Sequence, residues 1–170
     1  VFGRELTRNR AHGSGYGLRG TWAPVNEKGN VFNLGLSYVD HDTDGDIVRL
    51  RARPDADFAN RLIDTGNFTE TDRISTVGLE AFWLRGPFKL QGEAMRSTVD
   101  RYRAGNDDFT ATGGYVSGVW NVTGEQWSNK DGVPGTPGAD APGSGMWQVG
   151  LRYDTLDLDG LAQLLREDAR

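Results

Sequence analysis

The chain of 170 residues has the length of one ordinary domain. It contains 24 glycines, a hydrophobic fraction of 36% and no cysteine, which excludes a disulfide scaffold and any thiolate metal or nucleophile site. Acidic residues outnumber basic ones 24 to 19, giving a net charge of −5 that argues against a nucleic-acid partner. No stretch approaches the roughly 20 apolar residues of a spanning helix, but a spanning strand needs only about 9–11 alternating residues. The opening Val1-Phe2-Gly3-Arg4 has no secretory apolar region, as expected of a mature protein, an excised domain or a fragment.

Period-two alternation recurs along the chain, whereas the helical period is nearly absent. Seven strands are expected, over 14–23, 31–39, 47–53, 74–84, 88–99, 111–123 and 146–158. In the first, Tyr16, Leu18 and Trp22 share a face; in the second, Phe32, Leu34, Leu36 and Tyr38 do. Asn26–Asn30 forms the hairpin loop between them. After the acidic turn Asp40–Asp46, Val48, Leu50 and Ala52 oppose Arg49, Arg51 and Arg53. Residues 54–73 read as a long loop with a short strand near Leu62 and Ile63. Val77, Leu79, Ala81 and Trp83 then alternate with Thr76, Glu80 and Phe82. The tight Gly86-Pro87 connection follows. Phe88, Leu90 and Ala94 next oppose Lys89, Gln91 and Glu93; in 111–123 both faces carry apolar residues and the register stays open. Residues 128–145 form a Gly/Pro-rich loop. The last strand sets Trp147, Val149, Leu151 and Tyr153 against Gln148, Arg152 and Asp154, and 160–169 has the makings of a short helical turn.

Alternation alone also fits a soluble sandwich. Three features favour an antiparallel transmembrane β-barrel wall. The strands exceed the usual five or six residues. Short and long connections alternate, as in outer-membrane barrels. The face opposite the apolar one is charged, and aromatic residues gather near strand ends like interfacial girdles. The alternative is a soluble β-sandwich binding module for acidic ligands, its aromatic residues filling a sheet-on-sheet core. Seven strands are an odd set that would leave open edges in lipid, so the chain is expected to be part of a larger wall.

Gly78–Glu93, with GPFKLQGE at 86–93 as its core, resembles the phosphate-selective porins, the O/P-type outer-membrane porins. VRLRARPD at 48–55, TGE at 123–125 and LRYDTLDL at 151–158 are similar to that family in the same order. The resemblance implies a 16-stranded outer-membrane barrel, a homotrimer, passing inorganic anions such as phosphate or polyphosphate and contacting outer-membrane lipid. Residues 1–170 are then expected to be part of a single barrel domain, incomplete at both ends. The ending Arg166-Glu167-Asp168-Ala169-Arg170 departs from the terminal aromatic strand of the family.

Arg49, Arg51 and Arg53 are the leading candidate site. With Val48 and Leu50 facing lipid, the pleat points three guanidiniums into the lumen, about 6–7 Å apart in succession. Guanidinium offers paired charge-assisted donors to phosphate, and a row of them shares an anion among sites so that it also leaves. The resemblance implies an arginine ladder of this kind. Arg19, Lys89 and Arg152 extend the positive surface, with Glu80, Glu93 and Asp154 on the same faces available to neutralise them. A general or carboxylate-preferring porin with mixed lumen charge is the alternative channel.

Other chemistry is poorly supported. Asp40, Asp42, Asp44, Gly45 and Asp46 start like a calcium loop, but Arg51 occupies the twelfth position where glutamate is required. His12 and His41 have no partner at metal-ligand spacing. The Gly-rich 132–145 lacks the Gly-Lys-Ser/Thr of a phosphate loop, and Ser117 misses the G-x-S-x-G spacing. No catalytic residue, metal or cofactor is expected.

Overall fold

In the computed structural model the described residues are 15–43, 47–52, 63–102, 108–135, 137 and 145–158. They form twelve strands in chain order. These are β1 (Gly15–Glu27), β2 (Asn30–Asp42), β3 (Ile47–Val48), β4 (Arg51–Ala52), β5 (Ile63–Asp64) and β6 (Phe68–Thr69). There follow β7 (Thr71–Arg85), β8 (Phe88–Arg101), β9 (Phe109–Asn121), β10 (Ser128–Lys130), β11 (Val133–Gly135) and β12 (Gln148–Asp157). Six long strands make one antiparallel sheet in the order β1-β2-β7-β8-β9-β12. Among the described residues β1 and β12 are its two edges, so the sheet is an arc of wall and not a closed ring.

Each long strand has 10 to 15 residues, enough to cross a bilayer. β1 and β2 join through the two-residue turn Lys28-Gly29, and β7 and β8 through Gly86-Pro87. Gly29 and Gly86 adopt φ of 78° and 57°, a conformation that glycine reaches without steric cost. β1 runs beyond its expected end at Ala23. Pro24 interrupts the ladder, the register shifts between Trp22 and Val25, and pairing resumes at Val25↔Phe32.

Cross-strand register separates two faces. One carries rows such as Phe32↔Trp83↔Leu90↔Gly118↔Leu151 and Leu36↔Leu79↔Ala94↔Gly114. Its side chains stand open, Leu18 at 77% exposure and Leu151 at 81%. Trp83 and the stacked Phe88–Trp120 pair (5.8 Å) lie toward the two-residue turns; Tyr16 and Tyr38 (6.0 Å) lie toward the opposite end. An apolar field of exposed large side chains bounded by aromatic residues is what lipid contact requires. The register left open in β9 also resolves: Val116 and Trp120 share this face, while Tyr115 and Val119 point the other way.

The other face is polar at mid-height and apolar toward both ends. Near the two-residue turns Val31, Phe82 and Leu84 pack with Trp127 and Val119. Near the opposite end Ile74, Val99 and Phe109 pack with Val48 and Leu50.

One expected wall strand is absent from the sheet. The described part of the expected strand 47–53, residues 47–52, splits into β3 and β4, which pair with β6 and β5 as a narrow ribbon within the connection from β2 to β7. Val48 and Leu50 lie against the polar-face core and not toward lipid, because Ile74, Val99 and Phe109 offer them an apolar seat there. Among the described residues the wall therefore has six strands, an even number. The short strand expected near Leu62 and Ile63 is β5. The expected alternation of short and long connections also changes: 122–147 leaves β9 at the end where Lys28-Gly29 and Gly86-Pro87 turn. The expected helical turn at 160–169 lies outside the described residues.

Candidate functional site

Four of the six singled-out cations are on the polar face or its loops with counter-charges beside them. Arg19 projects from β1 toward Glu80 of β7, Nη2 to Oε1 2.5 Å, and donates from Nη2 to the carbonyl of Gly132 at 3.0 Å. Gly35, paired between Thr21 and Glu80, leaves this route open: a Cβ there would collide with the Glu80 side chain. Glu80 and Glu93 are direct cross-strand partners, and like charges so placed repel. Each is drawn to a different neighbour. Glu80 takes Arg19, and Glu93 accepts from the Tyr115 hydroxyl at 2.6 Å. Arg152 pairs with Asp154 at 2.7 Å and lies 3.6 Å over the Tyr115 ring. Lys89 differs: its ammonium sits 4.4 Å over the Trp127 ring, among apolar neighbours.

Arg49 and Arg51 are on the ribbon, not on the wall. Alternation buries Val48 and Leu50, so the two guanidiniums turn the other way, where both meet Asp64. Arg49 donates from Nε to Oδ1 at 2.6 Å and from Nη2 to Oδ2 at 2.5 Å. Arg51 Nε is 3.6 Å from the same Oδ2, and the Gly66 amide donates to Oδ1 at 3.1 Å. The Arg49 hydrogen bonds hold the Asp64 carboxyl down at about 2, against an opposing desolvation effect and with help from the Gly66 amide and the Arg51 charge. All three side chains remain about a third exposed. Arg53 lies outside the described residues.

The second inner element is the segment that leaves β9, residues 122–135. From β9 it turns over the polar face. Asn121, fully buried, donates to the Glu125 carbonyl at 2.7 Å and accepts from Gln148 at 2.7 Å. Trp127 then inserts between Val31, Phe82 and Leu84 and donates from Nε1 to the Pro87 carbonyl at 3.1 Å. The β10–β11 hairpin reaches β1, where Gly132 meets Arg19 and Thr21. Two connections thus fold over the same face, one toward each end. Sequence reasoning missed Trp127 and Asp64. A lone tryptophan in a polar, Gly-rich tract was the available signal for the first; nothing local marked the second.

At the acidic turn Asp40 pairs with Arg73, so it is committed within the wall; Asp44, Gly45 and Asp46 lie outside the described residues. Among the described residues no group of three or more His, Asp or Glu side chains is arranged to hold a metal ion. His12 also lies outside the described residues.

A long-stranded antiparallel sheet with a lipid-type outer face and loops folded over its polar face defines the porin class of outer-membrane β-barrel. The soluble sandwich falls, because among the described residues no second sheet covers the apolar face. Comparison with known proteins agrees. A family model described as phosphate-selective porin O and P matches residues 1–166. Porin O of Pseudomonas aeruginosa is 26% identical over 164 residues, covering 85% of this chain and 37% of that relative. The chain therefore spans little more than a third of that relative's length. It belongs to the phosphate-selective porin O and P family, whose members are channels of the Gram-negative outer membrane and not enzymes.

Proposed function

We propose that this chain supplies part of the wall and two inner loops of a larger single-domain barrel through which inorganic anions, phosphate foremost, diffuse passively. The observation that carries the reading is the ribbon: Arg49 and Arg51 stand together, partly open to water, over the polar face of a lipid-facing wall. Guanidinium forks attract an oxyanion and hand it on without a covalent step or cofactor. Arg53 continues the same alternation in sequence. Lys89 adds a positive charge whose contact is an aromatic ring. Arg19 and Arg152 contribute less in this reading, because each has a carboxylate partner of its own that offsets its charge. Homotrimeric assembly rests on the family resemblance.

The test is the reversal potential of the full-length porin in a planar bilayer under a salt gradient, together with block of chloride current by phosphate. Arg49→Ala, Arg51→Ala and Arg53→Ala combined are expected to reduce anion preference and weaken the block. Unchanged values would refute the assignment. A general porin with mixed lumen charge is the second reading, favoured by the Arg19–Glu80 and Arg152–Asp154 pairs. It predicts weak selectivity before and after the substitutions.

A further inference from the structure

We propose that Asp64 is a resident counter-ion occupying the oxyanion seat between Arg49 and Arg51, so that a permeating phosphate enters by displacing it. This inference rests on the anion-path reading above and assigns a specificity-determining role to a residue outside the arginine row. The seat has four converging elements. Arg49 gives Nε and Nη2 to the two carboxylate oxygens at 2.6 and 2.5 Å, the same paired geometry that a guanidinium gives to a phosphate edge. Arg51 faces Oδ2 at 3.6 Å, and the Gly66 amide points at Oδ1 at 3.1 Å. Asp64 already takes the paired Arg49 donors and the Gly66 amide and stands within ion-pair distance of Arg51, the groups that would bind a tetrahedral oxyanion there.

Two properties make the carboxylate a competitor as well as a brace. It stays ionised throughout the neutral range, so it holds the seat whenever the channel operates. It is also partly exposed on a ribbon anchored from the other side by Val48 and Leu50, so it can swing away without disturbing the apolar contacts that hold the ribbon. Two guanidiniums and one carboxylate leave one net positive charge. A phosphate displacing Asp64 gains both arginines, and the tethered carboxylate returns to expel it. A seat with a built-in competitor releases its anion faster than an empty one, which is what conduction requires.

The experiment uses the full-length porin in planar bilayers with inorganic phosphate as the probe. It compares wild type, Asp64→Asn, Asp64→Glu and Arg49→Ala/Arg51→Ala. Asp64→Asn removes the competing charge with little change of shape. It is expected to lower the phosphate concentration that half-blocks chloride current by about two- to fivefold, the range expected from an exposed ion pair. The dwell time of each blocking event should lengthen accordingly. Asp64→Glu, which keeps a tethered carboxylate, should remain near wild type. If Asp64→Asn weakens the block as the double alanine variant does, Asp64 only braces Arg49 and the proposal is overturned. An unchanged block in Asp64→Asn, with the double alanine variant impaired, also overturns it but leaves the anion path standing. If the double alanine variant is itself unimpaired, the anion-path reading fails.

Discussion

Trp127→Ala tests whether the segment that leaves β9, residues 122–135, is fastened over the polar face by the buried Trp127. Trp127 is 8% exposed, packed against Val31, Phe82, Leu84 and Val119. Replacing a buried Trp by Ala costs about 3–5 kcal/mol through lost transfer energy and an uncollapsed cavity. The Nε1 bond to the Pro87 carbonyl accounts for roughly 0.5–1.5 kcal/mol of that, and the Lys89 contact for about 0.5–1 kcal/mol. The wall itself keeps its ladders, so the loss falls on the loop. At about 1.4 kcal/mol per tenfold, the released loop gains population by on the order of a hundred- to a thousandfold. The remaining ties, Arg19 to Gly132 and Asn121 to Glu125, lie at either side of the missing side chain. Single-channel recording should show larger conductance and noisier openings, with larger neutral polymers admitted. Trp127→Phe, which keeps a ring and loses the Nε1 bond, should fall between. A correctly folded Trp127→Ala barrel with unchanged conductance and polymer cut-off would refute the latch.

Two further outcomes follow from the faces and the ribbon. Leu151→Arg, on the open apolar face, should destabilise the folded barrel by about 2–4 kcal/mol in a denaturant titration in liposomes, depending on its depth in the bilayer. Ser117→Arg, on the polar face beside Gln91 and Arg152, should cost far less, and equal losses would contradict the assignment of faces. The Arg49–Asp64 contact should also resist acid. The folded Asp64 value of about 2 lies below the ordinary carboxyl value, so the contact is fully present above about pH 4 and is lost as pH falls through about 2. The difference in chloride-over-potassium preference between wild type and Asp64→Asn should stay constant from pH 7 to pH 4; closure of that gap near pH 4 would contradict it.

The wall was legible because lipid on one side and water on the other impose a period of two over ten or more residues, as at 31–39 and 74–84. The same rule misplaced 47–53. A loop ribbon that lays Val48 and Leu50 on an inner core alternates just as a wall strand does, and only pairing partners distinguish them. Pro24 concealed the last turn of β1 because a bulge, invisible in composition, carries the ladder past it. Alternation put Glu80 and Asp154 on the faces of Arg19 and Arg152, which they meet, but which charges would touch was less legible. Arg19 reaches Glu80 across β2 only because Gly35 leaves the space open, and Asp64 meets Arg49 through a ribbon closed by distant residues. The 122–147 connection was visible as a Gly/Pro-rich tract, but its direction depends on a cavity that Val31, Phe82 and Leu84 form only after the sheet has assembled.

Arg49→Cys, placed in a full-length porin freed of any other accessible cysteine, gives the most direct measurement; these 170 residues contribute none. Water-soluble thiol reagents of opposite charge can then be compared on one channel while its reversal potential is recorded in a salt gradient. If the ribbon overlooks the anion path, a cationic reagent restores anion preference and an anionic one reduces it further. Equal potentials after the two reagents, with labelling complete, would contradict the placement of these arginines along the path.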